Sequence, residues 1–367
     1  MRPFDQSPFI VIWEVTRACE LACLHCRAEA QPMPDPRQLS TQEGFHLLEQ
    51  IKQFGDPVVV FTGGDPLMRH DLYELIQYGV KLGLKISMTP SATRHVTKDA
   101  MRRAKEAGLS RWAFSLDGST AEIHDAFRGV SGSFDRTIES IKYLHELELP
   151  IQINTTVSRY NLDDLQNLAD LMRELQVVLW SVFFLVPTGR GKASDMISPE
   201  QHEQVFHWLY ELSNTAPFDI KTTAAQHYRR VVIQSRVKEG QPVSRMNLVG
   251  VQRDDESKGD GIGRPMFGVN DGNGFVFISH LGDVYPSGFL PIKTGNVREQ
   301  SIVDIYWYSP IFQSLRNPDN LKGKCGECPY RHICGGSRAR AYAVTGDYLT
   351  SEPYCTFIPS NHSQKVK

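Results

Sequence analysis

Between residues 9 and about 215 the sequence alternates short β-rich runs with longer amphipathic stretches, and this alternation constrains the fold more than any other feature. "FIVIWEV" leads to a helix opened at Ser40, where Ser40 and Glu43 compose a capping box, Phe45, Leu47, Leu48 and Ile51 share a face, and Gly55 stops the run. "PVVVFTGG" precedes a helix over Asp71 to Leu82, "KISMTP" one ending before Gly108, and "RWAFSLDG" one ending near Leu147. "IQINTTVS" precedes a helix capped by Asn161, and "WSVFFLVP" one opened by Ser198 with Pro199 in its first turn. Strand and helix in alternation mean a parallel sheet, and right-handed crossovers let six such units curl into a partial (β/α)6 TIM-like barrel. In such folds the chemistry gathers at the C-terminal ends of the strands.

The pattern changes after residue 215. Residues 216–270 carry polar and Gly-rich patches such as "DDESKGDGIG" and read as a connector. "GFVFISHLGDVYP" then reads as a β-hairpin turning at Leu281, Gly282 and Asp283, followed by a short helix around "SIVDIYWY" and a cysteine-rich tail. The expected division is therefore a barrel over 1–215, a connector over 216–270 and a small α+β domain over 271–367.

Forty Lys and Arg against 42 Asp and Glu give a net charge of −2, which supplies no general attraction to nucleic acid or an anionic membrane. The apolar N-terminal run is too short for a signal peptide, and "VVLWSVFFLV" falls well short of the roughly 20 residues that span a bilayer. These features lead to the expectation of a cytoplasmic protein. Thiols there stay reduced, so the seven cysteines are read as ligands instead of disulfides. They fall into two groups, Cys19, Cys23 and Cys26, then Cys325, Cys328, Cys334 and Cys355. Four thiolates close a site for zinc or an iron-sulfur cubane, and spacing alone does not separate the two. Three thiolates leave one iron of a cubane open to a further ligand, although three cysteines alone are also compatible with a redox or zinc fragment.

The Cys-x3-Cys-x2-Cys spacing, on the loop after the first strand, resembles the signature of the radical S-adenosylmethionine superfamily. The resemblance implies that S-adenosylmethionine chelates the open iron and is cleaved reductively to a 5′-deoxyadenosyl radical, which abstracts a substrate hydrogen. It further implies a cofactor-binding role for Gly63, Gly64 and Asp65 of "TGGDP", where Asp65 replaces the family's usual Glu. By the same resemblance Ser115 and Asp117 of "SLDG", Asn154 of "NTTV", Pro187 and Arg190 of "VPTGRG", and His25 lie along the nucleotide. Ser115 and Asp117 also suit helix capping, and His25 also suits an exposed loop.

The tail resembles the SPASM or twitch domain that follows the barrel in peptide-modifying and haem-maturing members. A full SPASM domain has seven cysteines and two clusters, and two of those places here hold Ser287 and Arg338. The resemblance thus implies two 4Fe-4S clusters in all, one holding S-adenosylmethionine and one auxiliary. Lys322, Lys324, Arg331, Arg338 and Arg340 around the tail read as a solvated basic face or a counter-charge to the cluster. "CGGSRARAYAVTGDYL" is similar to haem-biosynthesis decarboxylases and deacetylases and to mycofactocin-type peptide maturases, so a tetrapyrrole and a peptide both remain open as substrate. An electron donor such as flavodoxin or ferredoxin is implied as a partner. The alternative is a non-catalytic iron-sulfur electron-transfer or sensor protein. No acid, base or radical-quenching residue is assigned; Tyr285, His280 and Arg190 are expected to pack.

Overall fold

The computed structural model describes residues 3–243 and 268–360. The first part runs β1 (Ile10–Thr16), α1 (Thr41–Gln53), β2 (Val58–Gly63), α2 (Leu72–Lys81), β3 (Lys85–Met88), α3 (Lys98–Glu106), β4 (Arg111–Ser115), α4 (Ala121–Arg128) and α5 (Ser133–Glu146). It continues through β5 (Ile151–Val157), α6 (Leu165–Glu174), β6 (Leu179–Phe184), α7 (Pro199–Ser213), β7 (Asp219–Thr223) and α8 (Tyr228–Lys238). The second part holds β8 (Phe275–Ile278), β9 (Asp283–Tyr285), β10 (Gly295–Asn296), α9 (Ile302–Tyr308), α10 (Pro310–Arg316), α11 (Gly323–Gly326) and α12 (Arg338–Thr345).

Among the described residues all strands join one sheet in the order β10-β9-β8-β1-β2-β3-β4-β5-β6-β7, with β1 to β7 parallel throughout. This is the expected incomplete barrel, with one more strand than the six read from the pattern. The period of two along each strand separates its faces. Trp13, Phe61, Met88, Trp112, Phe114, Ile153 and Trp180 are buried in the main core with the apolar stripes of the helices. Ile12, Val60, Ser87, Ala113, Gln152 and Ser181 line the interior, where small and polar side chains leave a cavity instead of a packed barrel centre. Local signals set the helix ends. The expected capping box of Ser40 with Glu43 is formed, a second one not read from the sequence joins Ser198 to Gln201, and Gly55 takes φ +103° beyond α1.

Three local readings are corrected. The single helix expected to end near Leu147 is two, because Gly129 and Gly132 adopt left-handed φ of 69° and 80° and turn the chain between α4 and α5. Asn161 is not a side-chain cap; its Nδ2 donates to the Asp117 and Thr156 carbonyls and ties together the ends of β4 and β5. The segment read as a connector contributes β7 and α8, while residues 244–267 lie outside the described residues. β7 was obscured because it is an edge strand whose Lys221 and Thr223 face the polar interior, so its apolar alternation is weak.

The hairpin forms as read, with Gly282 at φ +84° in its turn and Asp283 already the first residue of β9. Its placement was not foreseen. β8 pairs in parallel with β1, Ile10↔Phe275 through Trp13↔Ile278, so the C-terminal part extends the barrel sheet at its first strand. The tail then reaches the far side of the sheet through Arg340, whose Nη2 donates to the carbonyls of Phe184 and Leu185 at the end of β6, next to the edge strand β7. Among the described residues no helix is long and apolar enough to cross a membrane.

Candidate cofactor site

The three N-terminal cysteines leave the C-terminal end of β1 on a loop held by its neighbours' backbones. Gly64 N donates to Thr16 O at 2.9 Å and Asp65 N to Ala18 O at 2.6 Å, which binds the loop after β2 to the start of the cysteine loop. The approach is so close that only glycine fits: a Cβ on Gly63 would lie 2.4 Å from Thr16 O, and one on Gly64 2.3 Å from Ala18 O. The loop after β6 packs from the other side, with Arg190 N donating to Cys26 O at 3.1 Å and Gly189 at φ +63° over the same carbonyl.

Cys19, Cys23 and Cys26 share a cavity of about 200 Å³ with His25, Gly63, Gly64, Ser115 and Asn154. Sequence reading thus brought these residues to one place. Asp65 is not in that wall. Fully buried, it accepts from Thr93 Oγ1 at 2.6 Å and from Leu67 N at 3.1 Å, and burial pushes its carboxyl up to about 6. Asp117 likewise lies behind the wall, accepting from Thr156 N at 2.7 Å and pairing with Arg128. Pro187 and Arg190 do not line the cavity, although the Nε and Nη2 of Arg190 are buried without a hydrogen-bond partner among the described residues. His25 stacks on Phe127 at 4.3 Å and 16°, and burial together with Arg128 and Arg190 lowers its pKa well below the usual value.

Sequence reading missed Arg128, whose Nη1 lies 3.7 Å from Cys23 Sγ; burial opposes its charge, but Asp117 and Cys23 raise its pKa. It also missed Ser91, 3.4 Å from Cys19 Sγ. Both are single polar residues on helix or loop, and only the folded chain brings them to the cysteines.

The donor chemistry fits an iron-sulfur cluster. Leu21 N and Ala30 N donate to the sulfurs of Cys19 and Cys26 at 3.4 and 3.5 Å, the backbone bonds that tune such clusters. Burial pushes the Cys19 thiol up to about 11, so the charge of a bound metal must drive its ionisation. In the tail, Cys325, Cys328, Cys334 and Cys355 all face one small cavity. Gly336 N donates to Cys334 Sγ and Glu352 N to Cys325 Sγ, both at 3.3 Å, and burial pushes the Cys334 thiol up to about 12. Among the described residues no three His, Cys, Asp or Glu side chains converge on a single-ion site; a cubane spreads its thiolates over a larger body.

The expected solvated basic face is corrected here: Arg338 and Arg340 are buried at 2% and 0% exposure. Arg338, in a place where a two-cluster domain has cysteine, fills it with a guanidinium that donates to the Tyr348 and Thr350 carbonyls and lies 3.9 Å from Cys325 Sγ.

Beneath the cysteine cavity, and sharing Arg27, Thr62, Thr89, Asn154, Phe183 and Phe289 with it, a second cavity of about 270 Å³ occupies the barrel interior. Its wall combines aromatic residues, among them Phe9, Phe275 and Phe277, with the cations Arg27, Arg111, Lys221 and Arg229.

Residues 13–172 match the Radical SAM superfamily and residues 270–329 the SPASM iron-sulfur cluster-binding domain. Over 359 residues the chain is 40% identical to the AdoMet-dependent heme synthase of Methanosarcina barkeri, covering 98% of this chain and 99% of that protein. The chain belongs to the radical SAM superfamily. It is an enzyme of that superfamily, working with S-adenosylmethionine and 4Fe-4S clusters. Among other radical SAM relatives, an Oleidesulfovibrio alaskensis protein of the same name is 41% identical over 97% of this chain and 89% of its own length. The mycofactocin maturase MftC of Mycolicibacterium smegmatis is 27% identical over 98% and 86%. In fold, the chain resembles Streptococcus suis SuiB bound to S-adenosylmethionine, with a TM-score of 0.69 at 17% identity over 96% of this chain and 78% of that one.

Proposed function

We propose that this radical SAM enzyme forms haem from an iron porphyrin that carries propionate side chains. The observation that carries the reading is the 40% identity, end to end, to a protein named for haem synthesis, against 27% to a peptide maturase. The barrel cavity supports it. Aromatic walls suit a flat macrocycle, while cations within them suit its carboxylates.

Cys19, Cys23 and Cys26 would hold the cluster that binds S-adenosylmethionine, and Cys325, Cys328, Cys334 and Cys355 the auxiliary one. When bound, the pair of cofactor and cluster supplies a 5′-deoxyadenosyl radical that removes hydrogen from the substrate. Gly63 and Gly64 open the backbone edge where the methionine part would lie, and Ser115, Asn154 and His25 line the space for the nucleoside. Asp65, Asp117 and Arg190 act one layer back, fixing the loops that carry these groups, and Pro187 lies on the same loop as Arg190. Loss of one hydrogen atom to the 5′-deoxyadenosyl radical and of carbon dioxide from a propionate leaves a vinyl group, and the one electron released would pass to the auxiliary cluster that the four tail cysteines would hold. A flavodoxin or ferredoxin in the cytoplasm would supply the reducing electron for cofactor cleavage; the net charge of −2 offers no basis for nucleic-acid or membrane partners.

Anaerobic turnover with S-adenosylmethionine, dithionite and iron coproporphyrin III tests this. The expected result is 5′-deoxyadenosine together with porphyrin that has lost carbon dioxide and two hydrogens per modified side chain. Cofactor cleavage stimulated by a peptide and not by the porphyrin would transfer the assignment to peptide maturation.

A further inference from the structure

Arg27 follows the third cysteine of the loop, and its side chain lines both the cysteine cavity and the barrel cavity. It is held from several sides. Nη2 donates to Glu14 Oε2 at 2.8 Å, and the guanidinium carbon lies 4.4 Å from the Phe277 ring centroid. Gly288 makes room for the side chain, since a Cβ there would stand 3.1 Å from both its Cδ and its Nε.

Glu14 is fixed in turn. Its Oε1 sits 2.9 Å from Nδ1 of His280 in the hairpin turn, and the side chains of Glu14 and His280 are each 4% exposed. Burial alone would favour the protonated Glu14, but Arg27 and His280 outweigh it and hold the carboxyl below its usual range. The parallel pairing of β8 with β1 brings these residues together across 266 positions of sequence. Among the described residues Arg27 makes this one side-chain hydrogen bond, which takes one N–H of Nη2 and leaves one of the two paired donor edges, Nε with Nη2 or Nη1 with Nη2, whole. A guanidinium with fixed orientation and a free edge suits bidentate recognition of a carboxylate.

We infer that Arg27 receives a carboxylate of the substrate at the passage between the two cavities, and that Glu14 and His280 are positioning residues that fix its fork. The inference rests on the tetrapyrrole reading above and names the group that orients the ring. A propionate anchored at this passage places the carbons that link it to the macrocycle beside the cysteine cavity, where hydrogen is to be removed.

Spectral titration of the reconstituted holoenzyme with iron coproporphyrin III and with its tetraamide tests the assignment. Wild type is expected to prefer the free acid. Arg27→Gln should weaken the free acid about ten- to hundredfold, the range of a charged hydrogen bond, while tetraamide binding is retained and reports an intact fold. His280→Ala should reduce the preference for the acid, and His280→Gln, whose amide can donate to Glu14, should restore most of it. Equal weakening of acid and amide by Arg27→Gln would overturn the inference. So would weaker S-adenosylmethionine binding with an unchanged porphyrin preference, which would assign Arg27 to the cofactor. Wild type that binds neither porphyrin would fail the tetrapyrrole reading itself and this inference with it, whereas a failure of the inference alone appears only in the variants.

Discussion

Arg340 and Glu352 form an ion pair at 3.4 Å with both side chains at 0% exposure, and breaking it should be among the costliest single changes in the tail. Glu352 also accepts from Ser337 N at 2.8 Å and Tyr354 N at 3.1 Å, and its own N–H donates to Cys325 Sγ. Arg340→Met leaves that carboxylate buried without its cation, which costs about 3–5 kcal/mol. The lost bonds to the Phe184 and Leu185 carbonyls add about 1 kcal/mol each. Arg340→Met with Glu352→Gln removes the stranded charge, but the two backbone donors use separate carboxylate oxygens and the Gln amide has one acceptor oxygen for them, so only part of the first term, about 2 kcal/mol, should be recovered. Urea unfolding of the anaerobic holoenzyme, followed by tryptophan fluorescence, compares the three proteins. Single and double variants equal to within about 1 kcal/mol would refute the reasoning, because the buried charge would then not be the source of the loss.

Cys26→Ala should abolish 5′-deoxyadenosine formation and lower iron from about eight to about four per chain while the tail absorbance remains; a zinc-filled tail with about four irons in the wild type would contradict the two-cluster assignment. Gly64→Ala places a Cβ against Ala18 O at 2.3 Å and Arg17 O at 2.6 Å, both backbone, so the cysteine loop must shift. The expected outcome is a loss of about 1–3 kcal/mol in stability and a larger fall in N-terminal than in tail iron by quantitation. Asp65, raised by burial to about 6, binds its proton more tightly folded than unfolded, so its contribution to stability is present below about pH 4 and lost as pH rises to about 6. Asp65→Asn should remove that slope, a difference from wild type approaching 3 kcal/mol in parallel denaturation at pH 4 to 7; parallel profiles would contradict it.

The barrel was legible because helix caps and strand runs are local signals: Ser40 with Glu43 and Ser198 with Pro199 fix helix starts within four residues of chain. The cysteines were legible because their ligand spacing is itself a sequence pattern. β7 was not, because an edge strand with Lys221 and Thr223 toward a cavity lacks the apolar alternation of a packed strand. Nor were the partners of the site. Arg128 beside Cys23 and His280 beside Glu14 are separated by 105 and 266 residues and meet only through strand pairing and loop packing. Arg338 and Arg340 read as surface charges because sequence carries no sign of the buried carbonyls and Glu352 that satisfy them.

Deuterium transfer tests the central claim most directly. Iron coproporphyrin III deuterated at the propionate carbons next to the ring would be incubated with reconstituted enzyme, reductant and S-adenosylmethionine, and the 5′-deoxyadenosine analysed by mass spectrometry. One deuterium in 5′-deoxyadenosine for each carbon dioxide lost is the predicted result. Unlabelled 5′-deoxyadenosine beside unchanged porphyrin would contradict the account.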